Sequence, residues 1–216
     1  MTPTQFVSEL SAIRFPNAFN PYSDACPVHD VPDAPAMRSS ILTQILEAAE
    51  AASVDAIWVG RDLGFRGGRR TGMALTDDVH FHDHLARWGM RHKRPTKGQP
   101  VPERTAAAVW EMLSHIESHV FLWNVFPLHP HKPGLPFTNR AHNAKERAEG
   151  SAILEKIVKL LKPNRIIAIG NDAELAASEF SDTCEIIKVR HPSYGGQTDF
   201  VRKITEIYSI RIGGLL

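Results

Sequence analysis

Cysteine is almost missing from this chain: two residues, Cys26 and Cys184, stand among 216. They lie far apart and match neither a zinc pattern nor a redox C-x-x-C. A reducing cytoplasm is therefore the expected setting. No apolar run approaches the ~20 residues that a membrane-spanning helix needs. The opening "MTPTQFVSEL" lacks the basic and apolar regions of a secretory signal, so none is expected. An excess of one charge is also lacking. The net charge is +1, so any polyanionic partner must be held by a local patch. There is no internal repeat, low-complexity tract or linker. What is left, 43% apolar and 23% charged residues, is ordinary for a globular protein, and a single domain over 1–216 is expected.

The organised part begins late. The proline-rich stretch 15–37 reads as an irregular arm, and 1–37 carries no assigned role. Ile41, Leu42, Ile45, Leu46 and Ala49 then form one helical stripe within 38–52, followed by the β-prone "AIWVG" at 56–60. The same unit recurs. Helices are expected at 105–116, 144–161, 172–180 and 199–210, and strands at 120–125, 165–170 and 185–189. Four apolar strands alternating with helices predict a three-layer α/β/α fold around a mostly parallel four-stranded sheet. In such folds ligands bind beyond the carboxyl ends of the strands, so the segments after the strands are the informative ones.

The first of these lies within "WVGRDLGFRGGRRTG" (58–72), which holds five glycines, four arginines and one acid, Asp62. It lacks both the G-x-G-x-x-G frame and the G-K-[ST] of a P-loop. Asp62, just past the strand, is either a functional carboxylate or a cap or salt-bridge partner for a neighbouring arginine. The second is "LWNVFPLHPHKPGLPFTNR" (122–140), with Asn124 inside an apolar strand. A buried amide needs a partner, structural or ligand, and its carbonyl and NH2 match a donor/acceptor pair on a base edge. The third is "VRHPSYGG" (189–196), which brings His191 to the same sheet edge. Histidines at 80, 82, 84, 129 and 131 suggest metal, but no set has a ligand spacing, and a solvated polar loop or helix start is the simpler reading. The basic run 87–97 is either a solvated loop or a phosphate-binding surface.

Taken in this order, the three segments resemble the uracil-DNA glycosylase superfamily. "GRDLGFRGGRRTGMALT" (60–76) matches its first loop, the strand Asn124 its second motif, and "RHPSYGG" its H-P-S motif. "WNVFPLHPHKPG" and "RHPSYGG" are close to a bacterial branch, and the resemblance spans roughly 38–212. Departures are Leu63 in place of Pro, Arg61 in place of Glu, and Leu75 where a Phe usually stacks on the flipped base. Phe65, Trp123 or Tyr22 could stack instead. The four-cysteine iron–sulfur set of some branches is absent.

The resemblance implies hydrolysis of the N-glycosidic bond of a deaminated base in DNA, uracil foremost, after base flipping. It makes Asp62 the residue that positions water and stabilises the cationic sugar, and His191 the donor to the base oxygen. It gives Asn124 the base edge, with Gly60, Leu75 and Phe65 lining the base site. DNA contacts are expected from Arg66, Arg69, Arg70, Arg140 and Lys132, and from the turn Ser193, Tyr194, Gly195 and Gln197. A monomer without metal or cofactor is expected. Two other readings stay open: a damaged-nucleic-acid-binding protein of this fold that has lost catalysis, and a metal-dependent hydrolase built on the histidines.

Overall fold

The structure, a computed structural model, describes residues 1–193 and 195–211. The chain begins with helix α1 (Pro3–Ala12), a short strand β1 (Ala18–Phe19) and helix α2 (Ala34–Ala51). Strand β2 (Val54–Asp62) leads into a loop holding the short helices α3 (Gly68–Thr71) and α4 (Phe81–Arg87). Then follow α5 (Arg104–Leu113), β3 (His119–Phe126), the short β4 (His129–Pro130) and α6 (Ala144–Leu161). The rest is β5 (Arg165–Ile169), α7 (Asn171–Ala177) with a 3-10 turn after it, β6 (Glu185–Val189) and α8 (Gln197–Tyr208).

β3, β2, β5 and β6 lie side by side in that order, all parallel. Parallel strands need covered faces, and this sheet has two. Ile57, Val59, Phe121, Trp123 and Ile166 face a core completed by α1, α2 and α6, through Phe6, Leu10, Ile41, Ile45, Leu154 and Ile157. Ala56, Trp58, Leu122, Ile167 and Val189 face the other layer, where α5 and α8 supply Val109, Trp110, Phe200 and Ile204. The α6 layer comes especially close. A Cβ on Gly150 would collide with the Val125 carbonyl, so backbone meets backbone where α6 crosses β3.

Most expected elements stand within two residues of their expected bounds, and 144–161 and 185–189 match. The N-terminal arm is the main correction. It contains α1, started by a capping box between Thr2 and Gln5 with Pro3 in the first turn. Phe6 and Leu10 of α1 are fully buried, and Phe6 packs on Trp123 at 5.9 Å. The arm is therefore part of the core. β1 pairs antiparallel with β4, Phe19 opposite His129, so the arm also pins the segment after β3.

The connection β2→β3 leaves to one side of β2, whereas β5→β6 leaves to the other. The crevice between the carboxyl ends of β2 and β5 is the place where a ligand can enter such a sheet.

Candidate active site

Strand register brings the three expected site residues to one edge. Gly60 pairs with Asn124, and Asp62 with Phe126. On the far side Ile169 pairs with Val189, two residues before His191. Alternation along the strands puts Gly60 and Asn124 on the face of Trp58 and Leu122, and His191 lies two residues past Val189, which ends β6 on that same face. Local contacts agree: a Cβ on Gly60 would lie 2.9 Å from Asn124 Nδ2 and 3.0 Å from a Leu75 methyl. Absence of that side chain is what lets amide and Leu75 meet over the strand.

Asn124 is 1% exposed, and among the described residues its Oδ1 has no hydrogen-bond partner. A buried carbonyl without a donor costs about 1–3 kcal/mol. Leu75 beside it stands at φ 53°, the left-handed region that a branched residue adopts only under constraint. Its carbonyl accepts from Trp110 Nε1 at 3.1 Å, which holds the turn. An orphan acceptor and a strained backbone adjoin each other here.

His191 is fixed by its own turn. The Ser193 backbone N–H donates to His191 Nδ1 at 3.2 Å, and Ser193 Oγ lies 2.7 Å from the same nitrogen. Nδ1 is thus the acceptor, and the neutral ring carries its proton on Nε2. Burial, followed by the nearby Arg61 charge, lowers the pKa of His191 and favours that neutral donor. Gly196 lets the turn close, because a Cβ there would collide with the His191 carbonyl.

Asp62 is the last residue of β2 rather than a loop residue beyond it, and its side chain is 7% exposed. Arg61 Nε donates to Oδ2 at 2.7 Å, and His142 Nδ1 lies 2.6 Å from Oδ1. His142 was not among the expected site residues. It precedes Asn143, whose side chain caps α6, and it lies between the paired Arg140 and Glu146. The Gly150 contact holds α6 against β3, so helix, cap and ion pair together aim one imidazole at the end of β2.

The family model of the uracil DNA glycosylase superfamily matches residues 51–207. The chain belongs to that superfamily. The fold is similar to the crystal structure of wild-type SMUG2 from Pedobacter heparinus, with a TM-score of 0.61 and 14% identity over 97% of this chain and 98% of that one. Mimivirus uracil-DNA glycosylase aligns with a TM-score of 0.38 and 15% identity, over 74% of this chain and 63% of that one. No curated protein matches the sequence.

Within this superfamily fold, several expected DNA contacts turn out to be internal. Arg69 is buried, with its guanidinium 3.8 Å over the Phe19 ring and Nη1 3.1 Å from His129 Nδ1. Arg70 is buried too, and its Nε donates to Asp78 at 2.7 Å. The Arg70 carbonyl accepts from Arg38, which is paired in turn with Asp30. Neither arginine can track a phosphate from there. Arg140 holds both oxygens of buried Glu146 and donates to the carbonyls of His131 and Asn17. Burial alone would raise the pKa of Glu146, but the Arg140 bond and the Asn143 N–H bring it below its ordinary value. In the basic run, Arg87 donates to the carbonyls of Leu113, Ile116 and Ser118, and Arg94 lies against Thr96 and Asp78. Arg66 and Lys132 are exposed, and Arg61 is 46% exposed beside the acid. These three side chains remain at the surface. Gly195 is exposed at φ 78°, Gln197 opens α8, and Tyr194 lies outside the described residues.

The stacking alternatives also resolve. Trp123 faces the opposite layer, against Phe6 and Phe121, and cannot reach a base beside Asn124. Tyr22 is buried and donates to the Gly72 carbonyl. Phe65 is half-buried on the first loop, where its N–H donates to Asn139 Oδ1. Three of the histidines hold the fold. His80 bonds Asp77, His84 lies 2.8 Å from Thr76 Oγ1, and His129 Nε2 donates to the Thr138 carbonyl. Burial pushes both His84 and His129 down to about 3; the next cause is the Arg87 charge for His84 and the Arg69 charge for His129. Among the described residues no three His, Cys, Asp or Glu gather as a metal-binding group.

Proposed function

We propose that this protein is a DNA glycosylase that hydrolyses the N-glycosidic bond of a deaminated base, uracil foremost. The observation that carries the reading is the orphan carbonyl of Asn124, buried beside Gly60 and Leu75 at the carboxyl end of the sheet. An N–H of a base edge would satisfy it, while the amide NH2 donates to a neighbouring base oxygen. Bond cleavage leaves negative charge on the departing base and positive character on the sugar. The neutral Nε2–H of His191 suits the base oxygen, and it is held in that tautomer before any charge develops. The Asp62 carboxylate, held between Arg61 and His142, suits the sugar. The target base must leave its stack to reach such a site, so single strands or a flipped nucleotide are the substrates.

The test is a panel of oligonucleotides, single- and double-stranded, each carrying one deaminated base. They are incubated with the protein and then with alkali, which cuts at abasic sites. Alkali-labile cleavage at the modified position supports the reading. A gel shift without abasic sites would instead mark a binding protein that has lost catalysis.

A further inference from the structure

Two imidazoles stand at the carboxyl end of the sheet, and their partners set them to opposite tautomers. His191 accepts a backbone N–H on Nδ1, which leaves Nε2 as a donor. His142 faces a carboxylate oxygen with Nδ1 at 2.6 Å, so Nδ1 carries the proton and Nε2 carries the lone pair. Among the described residues Nε2 of His142 has no hydrogen-bond partner, although the side chain is only 5% exposed. Its ring lies against Phe126, centroids 6.3 Å apart, and the capped start of α6 fixes its backbone. Both oxygens of Asp62 already accept a hydrogen bond, one from Arg61 and one from His142. Each Asp62 oxygen keeps a second lone pair, so the Nε2 lone pair is one of the open acceptors in this pair, and the one that the carboxylate orients. A carboxylate that orients an imidazole through Nδ1, and so leaves Nε2 to take a proton, is an arrangement that serves general-base chemistry.

Resting on the glycosylase reading above, we propose that His142 is the general base that takes the proton from the attacking water, with Asp62 holding its ring and facing the sugar. The step balances. The water oxygen bonds to C1′ of the sugar, and the C1′–N bond breaks. Its electron pair leaves on the base, which His191 Nε2–H steadies. The water proton passes to His142 Nε2, and solvent later returns a proton to the base. One imidazole donates and the other accepts, each tuned by the atom behind it rather than by a metal ligand.

The experiment is single-turnover cleavage of a uracil-containing single strand by the full-length protein and by His142→Ala, His142→Gln and His142→Gly. A general base of this kind contributes about 10²–10⁴-fold, so alanine should lose that much. Glutamine can still donate to Asp62 but has no basic lone pair, so it should fall as far as alanine. Added imidazole and substituted azoles should restore the glycine variant, faster as the azole becomes more basic. A glutamine variant close to wild type, or a glycine variant that azoles leave unchanged, would overturn the assignment and leave His142 with a holding role only. A wild-type protein that forms no abasic site would instead remove the glycosylase reading, and this proposal with it.

Discussion

Replacing Glu103 by Gln should make the protein more stable above neutral pH, and the reason lies in the first loop. The Glu103 carboxylate rests against the backbone of Gly64 and Gly67, so closely that a Cβ on either glycine would collide with it. Its backbone N–H is taken by Asp77 at 2.6 Å. Burial, with Asp77 adding to it and Arg66 working against it, pushes the carboxyl up to about 7 from 4.5. For an acid whose folded pKa is raised, the favourable contribution is complete below the unfolded value. It is lost as pH rises through the folded one. The rise from 4.5 to about 7 sets a ceiling of about 3 kcal/mol on the cost of ionising this group in the fold. Glutamine has the same shape and never ionises. At pH 8.5 the variant should gain about 1–3 kcal/mol, or roughly 2–10 °C in Tm for a chain of this size. At pH 4.5 the two proteins should melt together. Thermal unfolding followed by circular dichroism across this range reads the difference directly. Equal Tm values at pH 8.5, or a loss in the variant, would refute the reasoning.

Three further outcomes follow from particular contacts. Asn124→Leu keeps the side-chain shape and removes an unpaired acceptor, so stability should hold or rise by about 1 kcal/mol while cleavage falls about 10²-fold. Parallel melting and single-turnover assays check both halves. Gly150→Ala should cost about 3 kcal/mol despite its helix propensity, because the methyl meets the Val125 carbonyl of a central layer, and a urea midpoint measures it. His84 and His129, held down to about 3, contribute stability that is present above their unfolded pKa of 6.5 and lost as pH falls below it. In the Glu103→Gln background, where the opposing carboxyl is gone, urea unfolding should therefore show stability falling from pH 6.5 to pH 4.

The sheet and its helices were legible because apolar spacing reports burial. The stripe of Ile41, Leu42, Ile45 and Leu46, for instance, is the face that α2 buries. The placement of Asp62, Asn124 and the His191 segment at the carboxyl ends of neighbouring strands was legible too, because the apolar runs mark where each strand stops. Arg69 and Arg70 were not. A cationic loop suggests a surface, and only the fold brings Asp78, Phe19 and His129 around those guanidinium groups. Helix α1 was not legible as a core element: Thr2, Pro3 and Gln5 give a start signal and Phe6, Val7 and Leu10 an apolar face, but only the fold sets that face against Trp123. His142 lay in a segment after a strand and one residue before a helix cap. Its signal was that position, and nothing in the sequence paired it with Asp62, 80 residues earlier.

The most direct test of the site is abasic-site formation in a uracil-containing single strand by the wild-type protein and by His191→Ala, under single-turnover conditions. Uracil should be released by the wild type, and loss of the Nε2–H donor should slow the reaction by about 10²–10³-fold. Equal rates for the two proteins, or no release by either, would contradict the account.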